Sequence, residues 1–390
     1  MRVLIIGLFA PEYMIALANS LSPKCEVTLL VTQQNISGLF PDELNPESRL
    51  FADRLIDNRI DLQLVNYPKG NFVYKAGFIN QIIRKVRIIH PDVLHYHSGG
   101  DPWIPIALLF LRDFPLVVSI HDAAHHPGDK PPKLILTIKN RLLSRLADRL
   151  IVHGIQQSEV FSSQYPINPE KINIIYLAAP ELFKRCSEYQ GRTDPRTILF
   201  FGRVQQYKGI ATLINAAPHI LAKVPDAKII IAGAGEYSSI HQAESRYPGL
   251  FEIHNHYIKA DEVAQFFNRA TIVVLPYKDA TQSGIVPIAY MFEKPVVATR
   301  VGSIPEVVSD GITGFLVDAG DELALADALV RLLRNPELCS SMGQAGAQKL
   351  DSDLSPTVLA EKTMQVYQMA LKDFSQPSSF HEKRDATSYS

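Results

Sequence analysis

The 390-residue sequence predicts an α/β protein built from two similar parallel-sheet units in tandem. Three observations carry that prediction. Short apolar runs rich in β-branched residues alternate with segments of helical period, the pattern of a parallel sheet covered on both faces. The rhythm breaks once, over residues 178–196, where AAPELFKRCSEYQGRTDPR is polar, contains Pro and Gly, and has no apolar period. Both halves also open alike, RVLIIG and TILFFG, each a strand running into glycine.

In chain order, residues 3–6, 27–31, 61–65, 93–96, 116–120, 150–152 and 172–175 read as buried strands. Between them, 76–89 and 133–147 have helical period. The second set of strands is 197–201, 228–232, 251–253, 272–275, 296–298 and 315–317. The expected organisation is therefore a first unit over 1–178, a linker over 179–196 and a second unit over 197–354. A helix over 355–374, open to packing back on the first unit, follows. The polar tail 375–390 is too poor in apolar residues to order itself.

Composition limits the function. Lys plus Arg number 39 and Asp plus Glu 40, so the net charge is −1 and nothing draws the whole chain to nucleic acid. Three separated cysteines, Cys25, Cys186 and Cys339, offer neither a disulfide framework nor zinc spacing. The opening MRVLIIGLFAPEY lacks the long apolar stretch of a secretory signal. The apolar stretch 103–111 falls well short of the roughly 20 residues a membrane span needs. A cytoplasmic protein, touching a membrane at most peripherally, is expected.

Ligands of such sheets bind beyond the carboxyl ends of the strands, so chemistry is sought in the loops that follow them. In FFGRVQQYKGI, a strand ends at Gly202 and Arg203 and Lys208 follow before a helix. Two cations beside a helix N-terminus suit a diphosphate, and the competing reading is a solvated basic loop. In the loop TQSGI, Gln282, Ser283, Gly284 and Ile285 stand at the start of an apolar helix, whose first amides lack intrahelical partners. The competitor there is an ordinary helix capped by Ser283. His121 and Asp122 stand directly after a strand of the first unit, where an imidazole can hydrogen-bond or exchange a proton with a substrate. A structural histidine is the alternative, and His95, His97, His125 and His126 lie nearby in sequence.

Together, in this order and at these distances, the three segments resemble the retaining, nucleotide-sugar-dependent glycosyltransferases of group 1, or family 4. The likeness runs from MRVLIIG to the last helix and includes KPVVATRVGSIPEVVSDGITGFLV. It implies the GT-B fold, two facing Rossmann-like domains with a cleft between them, the first for the acceptor and the second for the nucleotide sugar. It places Arg203 and Lys208 on the donor diphosphate, His121 on the donor sugar and Gly7 across the cleft. No cofactor or metal is implied, since two cations can meet the charge of the leaving diphosphate. One departure stands out. The two glutamates that usually flank the TQSGI loop fall on Ala280 and Ile288, or on Thr281 and Ala289, depending on the register. A Q-S-G loop replaces them, with Gln282 and the amides of 283–285 left to hold the donor.

Weaker features complete the reading. Gly233, in IAGAGEY, stands at a strand-to-glycine turn that suits a nucleotide, or simply tight packing. Glu306 starts a helix, where the dipole favours a carboxylate in any case. Asp351-Ser352-Asp353 reads as a C-terminal loop rather than a metal pair. The segment 129–150 carries Lys139, Arg141, Arg145 and Arg149 among leucines; a basic face with its leucines turned inward is favoured over a membrane-binding helix. Phe72, Tyr74 and Trp103 read as core by default. The expected activity is hexosyl or N-acetylhexosaminyl transfer to a glycan or lipid-linked acceptor in polysaccharide or glycolipid synthesis. A nucleotide-sugar epimerase and a non-catalytic nucleotide-binding relative are the alternatives.

Overall fold

The computed structural model describes residues 1–68, 72–99, 101–123, 133–187, 191 and 193–375. The first unit runs β1 (Arg2–Gly7), α1 (Pro11–Leu21), β2 (Glu26–Thr32), α2 (Gln33–Leu39), α3 (Pro46–Ala52) and β3 (Asp61–Val65). It continues with α4 (Phe72–Ile89), β4 (Val93–Ser98), α5 (Trp103–Leu108), β5 (Leu116–Ile120) and α6 (Lys133–Leu146). β6 (Arg149–Val152), α7 (Ile155–Gln164) and β7 (Ile172–Ile174) complete it.

A short helix, α8 (Leu182–Arg185), then leads into the second unit. This runs β8 (Thr197–Phe201), α9 (Ile210–Lys223), β9 (Lys228–Ala232), α10 (Ser238–Arg246), β10 (Phe251–His254) and α11 (Ala260–Arg269). β11 (Ile272–Leu275), α12 (Ile285–Met291), β12 (Val296–Thr299), α13 (Ile304–Val307) and β13 (Gly314–Val317) follow. The chain ends in α14 (Glu322–Leu333), α15 (Pro336–Asp353) and α16 (Pro356–Ser375).

All strands pair in parallel, in the orders β3-β2-β1-β4-β5-β6-β7 and β10-β9-β8-β11-β12-β13. In each sheet the order reverses beside the first strand, between β1 and β4 and between β8 and β11. That switch point opens a crevice at the strand ends. Along β1 the side chains alternate between layers, with Leu4 and Ile6 in one and Val3 and Ile5 in the other. The second layer continues into the core of the other unit. α16 packs on α1 and on β4, β5 and β6, so the last helix belongs spatially to the first sheet.

Five details differ from the sequence reading. The linker holds α8, which buries Leu182, Phe183 and Cys186 and packs on α11. Asp351-Ser352-Asp353 closes α15 rather than lying in a loop. Arg149 is not on α6; it opens β6 and its Nε donates to Asp373 of α16 at 2.7 Å. Lys139 is buried, whereas Leu134 and Ile138 are 69% and 59% exposed, so α6 turns apolar side chains outward. Tyr74 is exposed too and not core, whereas Trp103 is half-buried and packs against the core of the first unit; the Phe72 side chain, His125, His126 and the tail 376–390 lie outside the described residues. No helix among the described residues is long and apolar enough to cross a membrane.

Candidate active site

The second unit builds one wall from the loops after β8 and β11. Gly209 holds φ +70°, and a Cβ there would lie 1.7 Å from the Pro276 carbonyl oxygen, so only glycine lets the two loops touch. That contact carries Lys208 over the Tyr277 ring, with Nζ 3.8 Å from the centroid. Among the described residues, neither Arg203 nor Lys208 is paired with a carboxylate, and Arg203 is exposed. The same loops hold three buried polar atoms without a partner, Gln205 Oε1, Tyr277 Oη and Gln282 Oε1. Each such atom costs about 1–3 kcal/mol unless a ligand or water meets it.

The TQSGI loop is partly committed to its own surroundings. Ser283 is buried and its Oγ accepts the Ile285 N–H at 3.3 Å, a long bond that makes it a local cap for an amide otherwise free for a ligand. Tyr13 of α1 donates its hydroxyl to the Gly284 carbonyl at 3.1 Å, across the cleft. A Cβ at Gly284 would stand 2.0 Å from that hydroxyl oxygen, so this glycine serves the approach of the two units. Gly233 has an equally local explanation, since a Cβ there would meet the Gly202 carbonyl oxygen at 2.2 Å. Gly7 is buried beneath α1, where a Cβ would lie 2.6 Å from Met14, rather than open to the cleft.

The opposite wall comes from the first unit. His121 follows β5 and is 8% exposed; its ring packs edge-on to Phe9, and its Nε2 lies 3.2 Å from His97 Nδ1. Burial holds its pKa well below the usual histidine range, so the ring is neutral at pH 7 and is no source of an imidazolium proton. Thr281 Oγ1 reaches the His121 carbonyl at 3.5 Å and Asp122 Oδ1 at 3.4 Å, which joins the two walls directly. Glu12, in the first turn of α1, has its carboxyl pushed up to about 7 by burial.

A second bridge was not legible in the sequence. Glu306 sits in the first turn of α13, yet its carboxylate serves another helix. It accepts the N–H groups of Ile155 and Gln156 at 2.7 and 3.0 Å, the N-terminus of α7, and the Tyr176 hydroxyl at 3.1 Å. A carboxylate on a helix N-terminus is favoured by the dipole, here across the two units. Tyr13, Gln205 and Tyr277 are site residues that motif reasoning missed, and Thr281 and Glu306 were named without the contacts they make. The partners of Tyr13, Thr281 and Glu306 lie far off in sequence, whereas Gln205 lay within the singled-out FFGRVQQYKGI.

Two opposed loop walls, one basic and one histidine-bearing, suit a phosphorylated ligand. Residues 11–179 match the family described as Glycosyltransferase Family 4, and residues 195–335 match Glycosyl transferases group 1. The chain is a family 4 glycosyltransferase. The D-inositol 3-phosphate glycosyltransferase of Corynebacterium diphtheriae is 28% identical to this glycosyltransferase over 321 residues, 75% of this chain and 74% of that one. The phosphatidyl-myo-inositol mannosyltransferase of Mycobacterium leprae is 29% identical over 291 residues, 71% and 73% of the two chains. Among solved structures, Anabaena HepE in complex with UDP superposes with a TM-score of 0.68 at 15% identity, covering 94% of this chain and 100% of that one. The fold of this glycosyltransferase is thus GT-B, two Rossmann-like halves around a cleft.

Proposed function

We propose that this glycosyltransferase moves a hexosyl or N-acetylhexosaminyl group from a nucleotide-diphosphate sugar to a glycan or lipid-linked acceptor, with retention of configuration. The observation that carries the reading is the pair Arg203 and Lys208, unneutralised by any carboxylate among the described residues and flanked by the orphaned oxygens of Gln205 and Gln282. As the bond from sugar to diphosphate breaks, negative charge grows on the leaving phosphate. Two cations on the cleft wall stabilise that charge, and stabilisation of developing charge is the largest single catalytic term in many enzymes. No metal or other cofactor is required for it. Gln282 takes the place of an acidic residue toward the sugar, and neutral His121 orients it from the other wall. The UDP held by HepE supports a nucleotide donor, and the lipid named for the mycobacterial relative supports a lipid-linked acceptor. Synthesis of polysaccharide or glycolipid in the cytoplasm is the corresponding role.

The test is thermal unfolding of the purified protein with a panel of nucleoside diphosphates and their sugars. A ligand at 100 times its dissociation constant adds about 2.7 kcal/mol of stability, visible as a raised midpoint. One clear winner identifies the base; no shift with any of them sinks the donor assignment.

The lipid-linked acceptor gains support from α6. Leu134, Ile135 and Ile138 are exposed beside Arg141 and Arg145, a combination that suits the surface of an anionic bilayer. Cosedimentation with phosphatidylglycerol vesicles is expected to retain the protein at low salt, with about 1 kcal/mol per basic residue. Ile138→Glu is expected to weaken it several-fold. Equal binding by the variant would exclude α6 as the contact.

A further inference from the structure

At the edges of the two sheets farthest from Glu306, the units meet again. α3 lies between β2 and β3, at the β3 edge of the first sheet, and α11 follows β10, an edge strand of the second. The Glu306 bridge stands at the opposite edges, where α7 precedes β7 and α13 precedes β13. At the α3 end the contacts are ionic. Arg49 Nη1 donates to Asp261 Oδ2, in the first turn of α11, at 3.3 Å. Lys259, just before that helix, pairs with Asp42. Both pairs join one unit to the other.

Arg49 is held ready by its own unit. Its Nη1 also donates to Glu43 at 3.0 Å and its Nε to Asp53 at 3.1 Å, and the guanidinium carbon stands 4.4 Å from the centroid of the Phe40 ring. Those three partners belong to the first unit, so the cation keeps its place whether or not Asp261 is there. An isolated surface pair is worth little because two long side chains must first be ordered. Here Glu43, Asp53 and Phe40 have already ordered one of them, and the Arg49 side chain is only 23% exposed. Three carboxylates share this one guanidinium, so without it like charges would face each other across the units. A single fastening between two rigid bodies leaves rotation about it free, whereas two at opposite edges remove that freedom.

We propose that residues 40–53 form an electrostatic strap that sets the angle between the two units through Arg49 and Asp261, and that ionic strength releases it. Its consequence for transfer rests on the reading that both walls of the cleft meet the donor. The two fastenings differ in their response to salt. In about 0.1 M salt the Debye length is about 10 Å, well beyond the 3.3 Å gap, and in about 1 M salt it falls to about 3 Å. Glu306 instead accepts directed bonds from two backbone N–H groups and a tyrosine hydroxyl, none of which carries a net charge. Salt therefore loosens the α3 edge first and lets the second unit turn about the Glu306 bridge.

Small-angle scattering of the whole protein without ligand tests the strap. The wild-type radius of gyration is expected to rise between about 0.1 M and about 1 M sodium chloride. Asp261→Asn, which keeps the shape and loses the charge, is expected to show the larger radius already in about 0.1 M salt and to respond less to further salt. Arg49→Asp combined with Asp261→Arg moves the cation across the boundary, where Glu43 and Asp53 still meet it, and is expected to restore the smaller radius. A wild-type radius indifferent to salt, an Asp261→Asn radius equal to the wild type's, or a swapped pair as expanded as Asp261→Asn overturns the proposal. In Asp261→Asn, kcat/KM is expected to fall about fivefold, equivalent to about 1 kcal/mol. Affinity for the nucleoside diphosphate is expected to hold, because Arg203 and Lys208 both stand in the second unit. An unchanged kcat/KM despite the larger radius, or no transfer from any nucleotide sugar, would uphold the strap and defeat the reading of the cleft instead.

Discussion

Replacing Lys208 with alanine is expected to weaken binding of the nucleoside diphosphate by about ten- to a hundredfold and to lower kcat/KM at least as much. The side chain supplies a charge-assisted hydrogen bond to a phosphate oxygen, a contact of about 1.5–3 kcal/mol. Its resting place explains why so little competes for it. The ammonium lies over the Tyr277 ring, which shields one side from water, and no carboxylate among the described residues neutralises it. Lys208→Arg keeps the charge but spreads it over a planar fork, so it is expected to recover part of the affinity. Isothermal titration with the nucleoside diphosphate that wins the thermal panel, alongside initial rates, makes the measurement. Wild-type affinity in a folded Lys208→Ala would return the loop after β8 to an ordinary basic surface.

Loss of the Glu306 carboxylate is expected to have a comparable effect by a different route. Glu306 touches neither cation, but it fastens α13 to the N-terminus of α7 and to Tyr176, so it holds the two halves together. Gly154 permits this contact, because a Cβ there would lie 1.9 Å from Ser303 Oγ. The carboxylate is only half-buried, so solvent takes over part of its work on removal, and a net cost of about 2 kcal/mol is reasonable for three charge-assisted bonds. That free energy corresponds to about a 30-fold shift away from the closed arrangement. Glu306→Ala is expected to lower kcat/KM by that order and to raise the radius of gyration in solution scattering, with Glu306→Gln intermediate. An unchanged radius together with unchanged kinetics would show that closure does not depend on this clasp.

Much of the architecture was open to reading because parallel strands buried on both faces need uninterrupted apolar runs. The runs at 116–120, 197–201, 228–232 and 272–275 coincide residue for residue with β5, β8, β9 and β11; the edge strand β3, DLQLV, matches its bounds too but is only partly buried. α8 escaped notice because four residues carry no period. α6 was misjudged because a periodic pattern cannot say whether a second apolar face is covered, and here Leu134 and Ile138 are not. At the site, Arg203 and Lys208 stood out because their spacing lies within one loop. Tyr13, Thr281 and Glu306 did not, since each meets a partner more than a hundred residues away.

The sequence by itself determined the two parallel-sheet units, most of their strands, and the loop that carries the cations, since those depend on local pattern and burial; the strand order came from the structure. Only the tertiary structure decided which glycines serve backbone approach, which helix Glu306 caps, and that four histidines of the first unit pack together. Those outcomes depend on distances between segments far apart in sequence, some within one unit and some, like the Glu306 contact, where the two units meet. In this protein the clasp of Glu306 on α7 and the Tyr13 bond to Gly284 are properties of that meeting.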